Sequence, residues 1–141
     1  MVPDLPFDQS AAWQQVTGSV GLLAPALVPR QVSRERLGEV AAAASGWLYA
    51  PASTGPTGYH GPLDTPALAQ EVERLRAGST LPIVSVIGVS TPAKAALVAP
   101  LVDAVIIGTP IVHALANAPH NAPRLVAEFD DALAARQVNR G

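Results

Sequence analysis

The sequence contains no cysteine, few aromatic residues and no long apolar run. The lack of cysteine excludes disulfides and thiolate metal sites, and it favours a cytoplasmic location. Aromatic residues make up 4% of the chain and charged residues 14%, so most of the 49% apolar content is aliphatic. Since no apolar run reaches the roughly 18 residues that span a bilayer, we expect no membrane association. The first ten residues lack the basic and apolar regions of a signal peptide.

The charge of the chain is low and dispersed. The formal net charge is −2 at pH 7, and the basic residues form no stripe, so nucleic acid is not an expected partner. The three histidines and the scattered acidic residues lack the spacing of a metal site, and neither a metal nor a cofactor is predicted. A chain of 141 residues is long enough for one domain with a real core. We therefore expect residues 1–141 to form a single domain.

The most informative stretch is residues 81–112, LPIVSVIGVSTPAKAALVAPLVDAVIIGTPIV. Residues 82–87 and 103–107 are apolar, β-branched runs that predict two buried strands. Each run ends at a glycine, Gly88 or Gly108, and a helix start follows each glycine. The residues that mark these helix starts are Ser90 or Thr91 with Pro92, and Thr109 with Pro110.

Two parallel strands that each end in a glycine before a helix direct backbone N–H groups toward one place. Such an arrangement suits an anion, most often phosphate. In (β/α)8 barrels the phosphate site lies in the loops after strands seven and eight, where the last loop leads into a short extra helix. The order of elements here is the same. The alternative is that Gly88 and Gly108 serve only as turns between strand and helix.

The rest of the chain alternates strands and helices, which predicts a parallel sheet of βα units. We count four full units after a strand remnant, whereas a closed barrel needs eight strands in about 250 residues. Before residue 51 the predicted segments, in order, are a strand end at 1–5, a helix at 8–16 stopped by Gly18, a strand at 20–28, a helix at 34–44 capped by Ser33 and a strand at 46–50. A loop at 51–63 follows, and then a helix from Asp64 or Thr65 to Gly78 whose inward residues are Leu68, Val72 and Leu75. After the stretch 81–112, a last helix begins at Asn121, with Leu125, Phe129 and Leu133 inward.

Four stretches of the sequence resemble the tryptophan synthase alpha chain family. VPDLP at residues 2–6 resembles the end of that family's strand four, and GWLYAPASTGPTG at 46–58 resembles strand six with its mobile loop. IGVSTPAKA at 87–95 is similar to the turn after strand seven, and DAVIIGTPIV at 103–112 is similar to strand eight. The resemblance implies an α/β fold, the C-terminal half of a TIM (β/α)8 barrel.

The family cleaves indole-3-glycerol phosphate to indole and glyceraldehyde 3-phosphate, and the indole passes to a pyridoxal-phosphate beta chain. The resemblance therefore implies a small phosphate substrate and a beta-chain partner for this chain. By position, it implies the following roles: Gly58, Gly88, Gly108 and Thr109 hold the phosphate, Tyr49 stands beside the indole ring, Thr57 belongs to the lid loop, and Asp4 lies near the interface with the beta chain.

The sequence also departs from the family. The family's catalytic glutamate and aspartate precede anything in this chain, and without them the proton transfers of the aldol cleavage are missing. The loop reads GPTGYH where the family usually has GVTGAR, and Val86 replaces a glycine. The chain alone is therefore expected to be inactive.

Two other functions stay open. The first is a half-barrel assembly module, which either dimerises or complements another chain, because a half barrel leaves two unpaired sheet edges. The second is a divergent enzyme that uses Asp4, Tyr49 or the loop on a phosphate- or indole-bearing substrate. Packing is favoured over chemistry for Tyr49, and an interface or capping role over general base for Asp4. His60 and His113 are expected to be solvated.

Overall fold

The computed structural model describes residues 2, 5–28, 32–56 and 58–134. Within these residues six α-helices and four β-strands follow one another along the chain. Their bounds are α1 Ala11–Ser19, β1 Ala26–Leu27, α2 Arg34–Ala43, β2 Leu48–Pro51, α3 Thr65–Gly78, β3 Ile83–Val86, α4 Pro92–Val98, β4 Ala104–Val105, α5 Thr109–Asn117 and α6 Ala122–Ala134, with short 3-10 turns at Phe7–Gln9 and Pro119–Asn121.

The four strands form one parallel sheet in the order β1-β2-β3-β4. Every strand pairs with the next strand along the chain, as consecutive βα units require. The prediction of an α/β fold with about four parallel βα units is confirmed. The outer strands of this sheet are β1 and β4.

The core lies between one face of the sheet and the helices. Leu48 and Ala50 of β2 and Ile83 of β3 belong to one cluster of buried side chains with residues of α2, α3, α4 and α6. The predicted inward residues of α3 are confirmed, and Phe129 of α6 is 3% exposed. The helical members of the cluster are Leu37, Val40, Leu68, Val72, Leu75, Ala95, Val98 and Phe129, with Leu125 and Leu133 partly buried against it.

The other face of the sheet carries Leu27, Tyr49 and Val84 at one level. Leu27 pairs with Tyr49 and Tyr49 pairs with Val84. Because successive side chains of a strand point to opposite faces, these three residues face away from Leu48 and Ile83. In a closed barrel this face is the interior.

Three helices begin with the side-chain caps that the sequence predicts. The Ser33 hydroxyl accepts from the N–H of Arg36 at 3.1 Å. Where the sequence leaves two alternatives, the N-cap of α3 is Asp64, which accepts from Ala67 at 3.0 Å. The N-cap of α4 is Thr91, and its hydroxyl accepts from the N–H of Lys94 at 3.2 Å.

The predicted limits of the first helix are wrong. A 3-10 turn occupies Phe7–Gln9, and α1 continues through Gly18. The helix ends instead in a Schellman motif, in which Leu22 N–H donates to Thr17 O at 2.9 Å and Gly21 N–H donates to Gly18 O at 3.2 Å. Gly21 has φ +72, the left-handed conformation that this motif requires and glycine adopts freely.

The predicted strand at residues 20–28 is also wrong in extent, since only Ala26–Leu27 form β1. Val20, Leu22 and Leu23 are 63%, 60% and 59% exposed, not covered on both faces. The Schellman motif occupies the first part of the run, and Pro25 has no N–H to donate to a ladder. The predicted strand end at residues 1–5 includes Met1, Pro3 and Asp4, which lie outside the described residues.

The strand predicted at residues 103–107 shrinks to Ala104–Val105. Asp103 lies before it, and its carboxylate accepts the N–H of Ile83 at 2.8 Å and an Arg76 N–H at 3.0 Å. The side chain of Asp103 thus takes the place of one ladder contact at the start of β3. The other predicted strands and helices differ from the observed ones by one or two residues at their ends.

Candidate functional site

A cavity of about 490 Å³ lies where the chain leaves β3 and β4. Gly58, Gly88, Gly108 and Thr109, the four residues of the predicted phosphate site, all line it. They come from three separate segments: the loop of residues 51–63, the turn after β3 and the start of α5. The geometry brings them together because the carboxyl ends of parallel strands meet at one edge of a sheet.

The start of α5 forms one wall of this cavity. Gly108 is the N-cap, no side chain caps the helix, and Thr109 with Pro110 forms the first turn. The carbonyl of Gly108 accepts from the N–H of Ile111 at 3.0 Å and of Val112 at 3.1 Å. The first N–H groups of a helix have no acceptor within it and carry partial positive charge. This wall therefore offers hydrogen-bond donors to an anion.

The turn after β3 has two consecutive residues with positive φ. Ile87 has φ 53 and Gly88 has φ 91. Glycine adopts this conformation at no steric cost, whereas a β-branched residue does so only under strain. Space is also restricted at Gly88, where an added Cβ would lie 2.8 Å from Leu63 Cδ2 and 3.0 Å from Ser53 Cβ. Glycine is required at position 88 by both conformation and packing.

We expect Ile87→Asn to stabilise the protein relative to Ile87→Val, by about 0.5–1 kcal/mol. Asparagine tolerates the left-handed conformation, while valine keeps the β-branched strain that costs an L-residue roughly 1–2 kcal/mol there. Valine also controls for the loss of side-chain volume. Urea unfolding of both variants measures the difference, and an asparagine variant less stable than the valine variant would show that Ile87 is not strained.

The loop of residues 51–63 is folded around Tyr59. An added Cβ on Gly55 would overlap the Tyr59 ring at Cδ2, and one on Gly61 would overlap the Tyr59 hydroxyl oxygen. The Tyr59 hydroxyl donates to the carbonyl of Pro62 at 3.2 Å. A Cβ on Gly58 would lie 3.9 Å from the Thr109 methyl carbon, so the loop reaches the start of α5.

The described side chains around the cavity are compatible with an anion. His60 and His113 line it, both exposed as predicted, together with the hydroxyl-bearing Ser90 and Tyr59. Among the described residues, no aspartate or glutamate lines the cavity. A phosphate in this cavity would therefore meet donors without meeting a carboxylate.

Of the other three residues predicted from the resemblance, Tyr49 is the one within the described part of the chain. Tyr49 is 9% exposed on the barrel-interior face of β2, with its ring centroid 6.2 Å from that of Trp47, and it is absent from the cavity wall. Asp4 and Thr57 lie outside the described residues. The described part of the chain brings together no group of histidine, aspartate and glutamate that could hold a metal ion, and it contains no helix with the length and apolar character of a membrane span.

Two side chains at the cavity have structural roles that the sequence does not predict. Tyr59 supports the loop from inside, and the Lys94 ammonium donates to the loop carbonyls of His60 and Gly61, each at 2.8 Å. One sequence signal for Lys94 was available. It is the one lysine of the chain, and it stands in the first turn of a helix, where a cation is disfavoured.

A second cavity, of about 430 Å³, lies beside β1, α1 and α2. Trp13, Ala26 and Val40 line it, as does Arg36, which stacks 4.5 Å from the centroid of the Phe7 ring. Hydrogen bonds to the carboxylates of Glu39 and Asp8 raise the pKa of Arg36. Of the predicted site residues that the structure describes, none lines this second cavity.

The chain is similar to tryptophan synthase alpha chains over nearly all of its length. The family model of the tryptophan synthase alpha chain matches residues 1–138. The tryptophan synthase alpha chain of Streptomyces coelicolor is 35% identical over 125 residues, which are 89% of this chain and 46% of that protein. The one of Geobacillus thermodenitrificans is 32% identical over 112 residues, covering 79% and 41%. The chain thus spans about half the length of the curated relatives it matches.

Solved structures show the same relation. A tryptophan synthase structure from Mycobacterium tuberculosis matches with a TM-score of 0.81 and 30% identity, covering 93% of this chain and 49% of that one. The alpha subunit from Legionella pneumophila matches with a TM-score of 0.76 and 25% identity, covering 94% and 50%. The four-stranded sheet therefore corresponds to about half of a known barrel.

Proposed function

Because this chain belongs to the tryptophan synthase alpha chain family, we propose that it provides the phosphate-binding half of an indole-3-glycerol-phosphate lyase site. The reaction of the complete site is the aldol cleavage of that substrate to indole and glyceraldehyde 3-phosphate. One observation carries the proposal. Three segments that are separate in sequence meet at one cavity, which is lined by Gly58, Gly88, Gly108 and Thr109.

In this proposal the phosphate lies against the start of α5. The N–H groups of Gly108 and Thr109 donate to its oxygens, and the helix dipole favours its charge. Gly88 lets the turn after β3 approach closely, since an added Cβ would contact Leu63 and Ser53. Gly58 borders the cavity from the loop and lies close to Thr109. The remaining roles follow the family: Tyr49 beside the indole ring, Thr57 in the lid loop and Asp4 near a beta chain.

The proposal makes the chain inactive by itself. The family's two catalytic carboxylates belong to the part of the barrel that this chain does not span. Removal of a general acid or base costs about 10²- to 10⁴-fold in rate, so a half site without both is expected to bind and not to cleave. A beta chain is the partner expected for the complete assembly.

We expect inorganic phosphate to raise the Tm of the chain. A ligand at ten times its Kd adds about 1.4 kcal/mol to the unfolding free energy, or about 3–6 °C for a domain of this size. Sodium chloride at equal ionic strength is the salt control. Thr109→Val, which removes the hydroxyl and keeps the shape, should reduce the shift, and no shift at millimolar phosphate would contradict the proposed site.

The half-barrel assembly module is the second candidate, and the edges of the sheet favour it. The strands β1 and β4 are the outermost of the four, and exposed edges invite pairing with another chain. Apolar side chains are also exposed in the segments next to the two edge strands. They are Val16, Val20, Leu22 and Leu23 before β1, and Val112 and Leu115 on α5 after β4. Light scattering across a wide concentration range tests it, since a monomer throughout would argue against self-assembly.

A further inference from the structure

Lys94 joins α4 to the loop that borders the cavity. Its ammonium donates to the carbonyl oxygens of His60 and Gly61, each at 2.8 Å, and to the hydroxyl of Ser90 at 3.0 Å. An ammonium has three N–H donors, so these contacts use all of them. Two acceptors belong to the loop of residues 51–63, and the third belongs to the turn after β3.

The helix does not itself explain a cation at this place. Lys94 stands in the first turn of α4, three residues after the N-cap Thr91, where the helix dipole disfavours positive charge. Its three acceptors are uncharged oxygens of the loop and the turn. The carbonyl acceptors of the loop therefore account for the position of this charge.

We propose that Lys94 is a positioning residue that fastens the loop of residues 51–63 against the turn after β3. Gly58, Tyr59 and His60 of this loop and Ser90 of the turn line the cavity. The ammonium therefore fixes the positions of these two cavity walls relative to each other. The fastening rests on the hydrogen bonds alone, and only its consequence for phosphate rests on the proposed function.

Cleavage by chymotrypsin after Tyr59 measures release of the loop. In Lys94→Met, which keeps the length and removes the donors, we expect cleavage of the Tyr59–His60 bond to become about tenfold faster, because cleavage follows the open population. Lys94→Arg, which keeps the charge and donors, should restore much of the protection. Cleavage after Trp13, remote from the loop, is the internal control. Equal cleavage at Tyr59 in Lys94→Met and the unmodified chain would overturn the proposal.

A second measurement needs no variant. Since Lys94 is the one lysine in the sequence, Lys94 and the α-amine are the two amines that acetic anhydride can acetylate, and mass spectrometry of peptides separates them from each other and from acetylated tyrosine. We expect Lys94 to react about tenfold more slowly in the folded chain than in urea, because the three hydrogen bonds to His60, Gly61 and Ser90 hold its nitrogen against the loop and must break before it can react. Equal rates in the two states would overturn the proposal even if Lys94→Met fails to fold.

Phosphate separates this proposal from the proposed function. If Lys94→Met accelerates cleavage and weakens the phosphate-induced rise in Tm, both are supported. If cleavage accelerates and phosphate binds to neither protein, the fastening holds and the proposed function fails. If phosphate binds and cleavage is unchanged, the proposed function holds and the role of Lys94 is overturned.

Discussion

Replacing Gly88 by alanine is expected to lower the free energy of unfolding by about 2–5 kcal/mol and to abolish the effect of phosphate on Tm. Gly88 has φ 91, and an L-residue in a left-handed conformation costs roughly 1–2 kcal/mol. Overpacking of a tight site adds about 1–3 kcal/mol, because the new Cβ would lie 2.8 Å from Leu63 and 3.0 Å from Ser53. The turn must shift, and the cavity wall shifts with it.

Two other glycines are matched controls for Gly88→Ala. Gly38 lies on the exposed side of α2 with nothing within 4 Å of an added Cβ, so Gly38→Ala should stabilise the helix by about 0.5–1 kcal/mol. Gly108 lines the same cavity, has φ −106 and also has open space at its Cβ. Gly108→Ala should therefore leave stability nearly unchanged.

Urea unfolding and phosphate titration of the three variants distinguish the two roles of Gly88. If Gly88→Ala is as stable as Gly108→Ala, the turn is not constrained as the structure describes. If Gly88→Ala is destabilised and still responds to phosphate as the unmodified chain does, Gly88 serves the fold and not the anion. The result expected from the proposed function is a loss of both.

The sequence predicts the central part of this fold well because local and long-range signals agree there. Apolar β-branched runs, a glycine and a capped helix start follow one another around β3, and the structure places that strand within one residue of each predicted end. Around β1 the signals conflict. The apolar run at residues 20–28 has the composition of a buried strand, but the Schellman motif at Gly21 and the imide of Pro25 leave only two residues for pairing.

The candidate site shows the same division. Glycines after consecutive parallel strands must lie at one edge of the sheet, so the meeting of Gly88 and Gly108 follows from topology. The resemblance adds Gly58 and Thr109, which reach the cavity through the loop and the start of α5. The bonds of Lys94 to the carbonyls of His60 and Gly61 join residues that are 34 and 33 positions apart, respectively. No periodicity or motif encodes such a contact, since carbonyl acceptors are present at every residue.

The largest functional effect is expected when the chain is combined with the part of a barrel that it does not span. Under the proposed function, the chain alone should release no measurable indole from indole-3-glycerol phosphate, since the proposal assigns both catalytic carboxylates to the part of the barrel that this chain does not span, and each is worth about 10²- to 10⁴-fold. This chain covers 46% of the length of the Streptomyces coelicolor relative. Mixed with the part of that relative that precedes the covered region, the chain should release indole. Pairing at β1 and β4 would cover both edges of the sheet.

The same mixture made with Gly88→Ala or Thr109→Val should assemble less well or cleave more slowly, whereas Gly38→Ala should behave as the unmodified chain. Indole release gives the activity, and light scattering gives the stoichiometry of the complex. Indole formation by this chain alone would refute the proposed half site and favour a divergent enzyme. A one-to-one complex that binds phosphate and stays inactive would locate the fault in the alignment of the two halves, because the anion site and the pairing edges would each have proved functional.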